Sequence, residues 1–295
     1  MNRRKLRFAV FGNEYQERKA DVVARLIDTL AGHGAEIAVD KPFFKSLSDS
    51  PLVSLDGISV FEGNDFEADF VVSMGGDGTF LKAAGRVGSR QIPIIGINMG
   101  RLGFLADVPS SQVEGVIDAV CRGNYAIERH AVLQAFAEGE PLAGLPYALN
   151  DIAILKRDNA SMISIRATVD GEYLATYQAD GLIVSTPTGS TAYSLSNGGP
   201  IMMPLTSVIC LTPVAPHSLS IRPIVVNDTA EITLSVESRS HNFLVAIDGR
   251  SEKLAESTTL TVRKAPYTVD FVKFQGQNYL ATLREKMMWG TDTRD

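Results

Sequence analysis

The sequence predicts an α/β N-terminal domain of Rossmann-like build followed by a mostly antiparallel β C-terminal domain. Three observations carry that expectation. Over the first hundred residues, short apolar runs alternate with stretches of helical periodicity, as in a parallel sheet whose two faces are covered. From about residue 125 the helical stretches give way to short β-rich runs broken by Asp-Gly pairs. The length, 295 residues, exceeds one typical domain. The expected division is residues 1–124 for the first domain and 125–277 for the second, with a helix in 278–295 packing back onto the first.

Each element has its own signal. Leu6 to Phe11 is a strand candidate. Lys19 to Leu30 sets Val22, Val23, Leu26, Ile27 and Leu30 on one helical face, and Gly32 and Gly34 stop the helix. Glu36 to Val39 and Asp69 to Ser73 are further strands, and Ile92 to Ile97 is another, with Pro93 near its start. Ser111-Gln112-Val113-Glu114 fits a capping box opening a helix to about Gly123. Met162 to Val169 and Glu172 to Tyr177 flank Asp170-Gly171, a two-residue hairpin signal, and Leu244 to Ile247 with Asp248-Gly249 repeats it less cleanly. Ile224 to Val226, Ile232 to Val236 and Leu260 to Val262 extend the β-rich part, and Asn278 to Trp289 can form a terminal helix.

Composition narrows the function classes. A net charge of −6 offers no basic surplus for neutralising nucleic-acid phosphates. The basic start, Arg3-Arg4-Lys5 with Arg7, precedes an apolar stretch too short for a signal-peptide core or a membrane span. Cys121 and Cys210 stand far apart, which fits a reducing cytoplasm and disfavours a disulfide framework or a thiolate zinc site. The four histidines show no ligand spacing, so no protein-held metal is expected.

The strongest local signal is Gly75-Gly76-Asp77-Gly78-Thr79, between the apolar run Phe70 to Met74 and a helical stretch. Glycines bring bare backbone up to phosphate oxygens, and amides at a helix start favour anions. Asp77 contradicts a plain phosphate cradle, because a carboxylate repels phosphates unless it handles a metal or a proton. The bland alternative is a tight strand-to-helix connection. No GxxxxGK[ST], GxGxxG or GxSxG pattern occurs.

Three other segments keep it company. Asp180 to Ser194 reads DGLIVSTPTGSTAYS, a strand emptying into hydroxyls, a glycine and Tyr193. Those hydroxyls and amides can hold phosphate or ribose oxygens with the tyrosine against a base, or they can simply build a capped loop. Asn150-Asp151 precedes the apolar strand Ile152 to Leu155, where an amide and a carboxylate can grip a ribose diol or form a turn. Asn98 to Leu105 sets Arg101 in a glycine-flanked loop, to meet phosphates or to brace carbonyls.

Together GGDGT, NMGRLGFL, LND and DGLIVSTPTGSTAYSLSNGGP, in this order, resemble the NAD kinase family, and Pro216 to Ser220 and Asp248-Gly249 extend the resemblance over most of the chain. The DGLIVSTPTGSTAY stretch is highly specific, whereas GGDG is shared with lipid kinases and phosphofructokinases. The resemblance implies transfer of the terminal phosphate of ATP to the adenosine 2′-hydroxyl of NAD, giving NADP. It casts Asp77 as the catalytic aspartate, with Gly75, Gly76, Gly78 and Thr79 in the nucleotide site and Asn150 with Asp151 as the ribose pair. Asp180, Thr188, Thr191, Ala192, Tyr193, Ser194 and Ser196 fall on NAD-binding loops, and Ser161, Gln178 and Arg250 on contact positions whose residue type varies. The resemblance also implies a divalent metal ion, Mg²⁺, travelling with ATP and a homo-oligomer, dimer or tetramer, and it leaves polyphosphate open as a second donor. Asp151 departs from the glutamate many members carry. Gln178, uncharged where some members that reject NADH carry a charge, leaves NADH open as an acceptor. A diacylglycerol-type lipid kinase and a non-catalytic NAD(P) sensor are the competing readings. Tyr193 and the Asn-Asp pair suit a nucleotide acceptor better than an acyl chain.

Overall fold

In the computed structural model, which describes residues 4–13, 20–48, 50–100, 103–157 and 161–288, the chain forms two units, Met1–Glu128 with Val269–Asp295 and Arg129–Thr268. Through the first unit run β1 (Arg7–Gly12), α1 (Ala20–Gly32), β2 (Glu36–Asp40), α2 (Lys41–Leu47), β3 (Ser59–Phe61), β4 (Phe70–Gly75), α3 (Asp77–Val87), β5 (Ile94–Asn98), β6 (Val108–Pro109) and α4 (Val113–Arg122). The strands β3-β2-β1-β4-β5 lie in that order, all parallel. All but the first residue of β1, and every residue of β4 and β5, are buried, as in central strands covered on both faces. The expected face of α1, from Val22 to Leu30, is the buried one. Strand order reverses between β1 and β4, which makes their carboxyl ends the switch point where such sheets take ligands. Register sets those ends level, pairing Gly12 with Met74 and Gly75 with Asn98.

β7 (Ala126–Glu138) carries the chain into the second unit, which holds β8 (Tyr147–Ala148), β9 (Asp151–Leu155), β10 (Ile163–Val169), β11 (Glu172–Ala179), β12 (Gly181–Ser185), α5 (Tyr193–Ser196), β13 (Val208–Val214), β14 (Ile224–Asn227), β15 (Ile232–Glu237), β16 (Asn242–Ile247) and β17 (Arg250–Ala255). β18 (Thr259–Lys273) leads back to the first unit and α6 (Tyr279–Met287). The second unit is antiparallel throughout its two main runs, β14-β13-β12-β9-β16-β17 and β11-β10-β15-β18. Ile165, Leu182, Val184, Leu211, Leu234 and Phe243 share one core cluster. Both hairpin signals are real turns with two positive φ values, Asp170 (52°) with Gly171 (82°) and Asp248 (48°) with Gly249 (77°).

Some local expectations change. The glycine-rich turn shrinks to Gly76 alone, because Gly75 ends β4 and Asp77 begins α3, leaving Thr79 as the third helical residue. The capping box at Ser111 does not form. Ser110–Gln112 is a 3-10 turn and α4 starts at Val113 without a side-chain cap. Arg25 takes the Glu114 carboxylate instead, with Nη1 at 2.8 and 3.0 Å from its two oxygens. Lys19 and Trp289, at the edges of two expected helices, lie outside the described residues. Asn278 caps α6 by accepting from the Leu280 amide at 2.9 Å.

Candidate functional site

In the first unit, Asp77 opens α3 and its carboxylate reaches the loop beyond β5. Oδ2 accepts from the Phe104 amide at 3.0 Å, and Oδ1 from those of Leu105 and Ala106 at 3.0 and 3.1 Å. The loop is fixed from its other side by Asn98, whose Oδ1 accepts from Gly100 N at 2.7 Å and whose Nδ2 donates to Ala106 O at 3.2 Å. Met99 N donates to Gly75 O at 2.9 Å, tying the loop to β4. The ends of two adjacent parallel strands are thus joined through one carboxylate. An ionised carboxylate has about four acceptor positions, so three amides leave Asp77 one more to offer.

The glycines here divide into two kinds. A Cβ on Gly75 would lie 2.1 Å from Thr79 Oγ1, and one on Gly103 would lie 1.9 Å from Asp77 Oδ1. A side chain at either position would have to displace Thr79 or the Asp77 carboxylate. At Gly76 and Gly78 an added Cβ would meet nothing within 4 Å. These two instead border a cavity of about 390 Å³ that Gly12, Asn13, Thr79 and Lys82 also line, at the β1/β4 switch point. Bare backbone facing open space at a strand's carboxyl end is the geometry for close approach of an anion.

The second unit carries a separate cluster around Asn150 and Asp151. Asp248, in the β16–β17 turn, accepts from three successive amides: Leu149 at 2.8 Å, Asn150 at 2.8 Å and Asp151 at 3.2 Å. Thr186 closes the other side, its hydroxyl donating to Leu149 O at 2.6 Å. Gly189 packs so closely that an added Cβ would sit 2.0 Å from Asn150 O. This bracing leaves Asn150 Oδ1 buried and, among the described residues, without a hydrogen-bond partner, an acceptor that a ligand donor would satisfy. Burial, and next the neighbouring charge of Asp248, push the Asp151 carboxyl up to about 7, against one hydrogen bond from the Tyr193 backbone. Asp248 is also raised by burial, but its three amides favour its charged form. Of the pair, Asp151 is the one that keeps a proton near neutrality.

Several hydroxyls of the Ser/Thr-rich stretch are engaged inside the protein. Thr188 Oγ1 meets His130 Nδ1 at 2.8 Å, Ser190 donates to Pro187 O at 2.6 Å, and Ser194 pairs with Thr212 at 2.8 Å, all buried. What it leaves accessible are half-buried Thr191 and Ala192, exposed Ser196, and Tyr193, whose side chain is among the exposed large hydrophobics. Asp180 pairs with Lys156 at 2.6 Å. Gln178 donates across strands to Ser164 Oγ at 3.0 Å. Arg250 braces its hairpin through Ile247 O (3.1 Å) and Tyr147 O (2.9 Å). Ser161 is half-buried, and Arg101 lies outside the described residues.

Comparison with known proteins decides the family. Models of the ATP-NAD kinase N-terminal and C-terminal domains match residues 8–125 and 149–274. The NAD kinase of Bacteroides fragilis is 55% identical over 289 residues, covering 98% of this chain and all of the relative. That of Porphyromonas gingivalis is 40% identical, covering 98% and 99%. The chain belongs to the NAD kinase family. Its activity is accordingly that of an NAD kinase, a phosphotransferase moving the terminal phosphate of ATP to the adenosine 2′-hydroxyl of NAD. Among solved structures, an NAD kinase from Archaeoglobus fulgidus in complex with ATP is 27% identical and superposes with a TM-score of 0.72 over 96% of this chain and 99% of that one. Yeast NADH kinase complexed with NADH gives 0.89 over 99% and 90% at 22% identity, a likeness of fold.

Within this NAD kinase frame, the sequence assigned no individual role to Gly103, Asp248 or Thr186, though each lies in a quoted motif, and left Lys82 unmentioned. Asp248 sat in a recognised hairpin signal, but nothing local shows that its side chain grips amides 97 to 99 residues away. Lys82 had a readable signal, since it follows Gly78 by four residues on α3 and so shares its face.

Proposed function

We propose that Asp77 orients the acceptor hydroxyl of NAD and takes its proton, that the Gly76–Thr79 backbone holds the donor phosphates, and that the Asn150–Asp151 cluster holds the acceptor's adenosine ribose. The observation that carries this reading is the Asp77 carboxylate, held by three backbone amides with one acceptor position left. In the transfer, the 2′-oxygen forms a bond to the terminal phosphorus while the bond to the bridging oxygen breaks, releasing ADP. The hydroxyl proton passes to Asp77. Such transfers run through a loose transition state, so the protein mainly positions groups, and a late proton acceptor is worth about 10²–10⁴-fold. At Asn150, the unpartnered Oδ1 suits a ribose hydroxyl donor. Protonated Asp151 both donates and accepts, which matches a hydroxyl pair.

Among the described residues no group of three or more His, Cys, Asp or Glu side chains is arranged to hold a metal. Mg²⁺ would be carried by the donor phosphates, where it would neutralise charge on their oxygens. We further assign NADH as a second acceptor, since Gln178 brings no charge to its position, and polyphosphate as a second donor, since the glycine cavity needs only phosphate to fill it. A homo-oligomer in the cytoplasm completes the reading. No helix among the described residues is long and apolar enough to cross a membrane.

The test is NADP(H) formation by the purified chain with NAD or NADH and with ATP or polyphosphate, alongside Asp77→Asn and Asn150→Ala. Asp77→Asn should lose about 10²-fold or more in kcat with NAD affinity kept, and Asn150→Ala should weaken NAD binding. An Asp77→Asn protein with wild-type kcat would overturn the role given to Asp77. Light scattering of the same preparation reads the subunit number.

A further inference from the structure

We propose that Lys82 is a binding residue for the polyanionic donor, parked beside Asp40 and released to the phosphates when they enter. Of the six described residues lining the cavity at the β1/β4 switch point, Lys82 is the cation. It stands one helical turn beyond Gly78 and Thr79, on the face those residues turn to the cavity. Its Nζ lies 4.0 Å from Asp40 Oδ2, too far for a hydrogen bond, and its side chain is 53% exposed.

The Asp40 charge is already answered elsewhere. Arg86 Nη1 donates to Asp40 Oδ1 at 2.6 Å, and this guanidinium is fixed over the rings of Phe11 and Phe61 at 4.8 and 5.3 Å. Asp40 and Arg86 are 1% and 15% exposed, so that pair is the permanent one. One carboxylate facing two cations leaves a surplus positive charge, and it resides on the mobile member at the cavity's edge. A half-exposed pair at such distance holds Lys82 weakly. A lysine ammonium, a compact charge on a long stem, meets a phosphate oxygen from many directions, as a donor that varies between ATP and a phosphate polymer requires. This inference rests on the placing of donor phosphates at the Gly76–Thr79 turn, and it adds the side chain that selects for their charge.

The experiment titrates inorganic tripolyphosphate, ATP and NAD separately into the full-length protein by calorimetry, in the wild type, Lys82→Met and Lys82→Arg, with amide exchange run on the wild type with ATP. Lys82→Met should bind tripolyphosphate and ATP about tenfold or more weakly, NAD unchanged, with the melting temperature unchanged and a shallower salt dependence of donor binding. Lys82→Arg should recover most of the loss. In turnover, KM for ATP rises and KM for NAD does not. Unchanged donor affinity in Lys82→Met, or equal loss of donor and NAD affinity, overturns the proposal while Gly76–Thr79 amides still gain protection from ATP. If ATP fails to protect those amides, the donor-site assignment falls and Lys82 with it.

Discussion

A glycine that faces a neighbour and a glycine that faces open space answer to different demands, and substitution separates them. Gly75→Ala drives a methyl into Thr79 Oγ1 and should lower stability by about 1–3 kcal/mol, as overpacking does. Gly103→Ala meets the Asp77 carboxylate itself, so its main effect should be on kcat, approaching that of Asp77→Asn. Gly78→Ala meets nothing. Helix propensity then predicts a melting temperature equal to or above wild type, worth up to about 1 kcal/mol, combined with a raised KM for ATP. Thermal melts and steady-state kinetics on the three variants check this, and a destabilised Gly78→Ala would contradict it. At Asp151 the prediction concerns pH. Burial and Asp248 raise its carboxyl to about 7, above an ordinary carboxylate. Between the ordinary value and about 7 the folded state binds more protons than the unfolded chain, so stability falls as pH rises through that window. Melting temperature should therefore drop from pH 5 to pH 8 in the wild type. Asp151→Asn, with no proton to lose there, should flatten that slope.

The β16–β17 hairpin does two jobs with one residue. Its turn needs a positive φ at position 248, which aspartate tolerates (48°), and the same side chain gathers the Leu149, Asn150 and Asp151 amides. Asp248→Ala removes all three bonds and leaves partly buried donors unmet, at about 1–3 kcal/mol for each left fully unsatisfied. The expected result is a lower melting temperature together with a higher KM for NAD and an unchanged KM for ATP. Equal KM values in variant and wild type would show that the turn does not shape the acceptor site. The hairpin itself was legible because Asp-Gly between two β runs has a local cause. The grip was not, because hydrogen bonds spanning about a hundred residues leave no mark on spacing. The same limit explains the start of α4. Ser111 and Glu114 carry the right letters for a capping box, but Arg25 of α1 offers the glutamate one guanidinium nitrogen that reaches both its oxygens, and tertiary contact prevails. α2 escaped notice because seven residues, Lys41–Leu47, are too few to show a period.

Over the whole molecule, the strand-helix alternation and the β-rich remainder were readable, since covered parallel strands need continuous apolar runs and half-covered antiparallel strands need alternation. The site was readable as motifs but not as a division of labour. Gly75 and Gly76 are neighbours in one motif, yet one packs the fold and the other borders open space. Thr188 and Ser194, contact candidates in the sequence, hydrogen-bond His130 of β7 and Thr212 of β13 in the structure. That division yields a prediction for the full chain. On the reading proposed above, the donor turn between β4 and α3 belongs to the first unit, and the acceptor-ribose cluster at Asn150, Thr186 and Asp248 belongs to the second. Hydrogen exchange with a non-hydrolysable ATP analogue alone should slow amides at residues 76–79. With NAD alone, the slowed amides should be at residues 149–151 and 186–193. Ligand binding raises local protection through mass action, by RT ln(1 + [L]/Kd), so each set should follow its own ligand's concentration. If NAD alone protects residues 76–79 as strongly as the donor does, the acceptor occupies the glycine turn without any donor present. The two ligand sets would then not be separable.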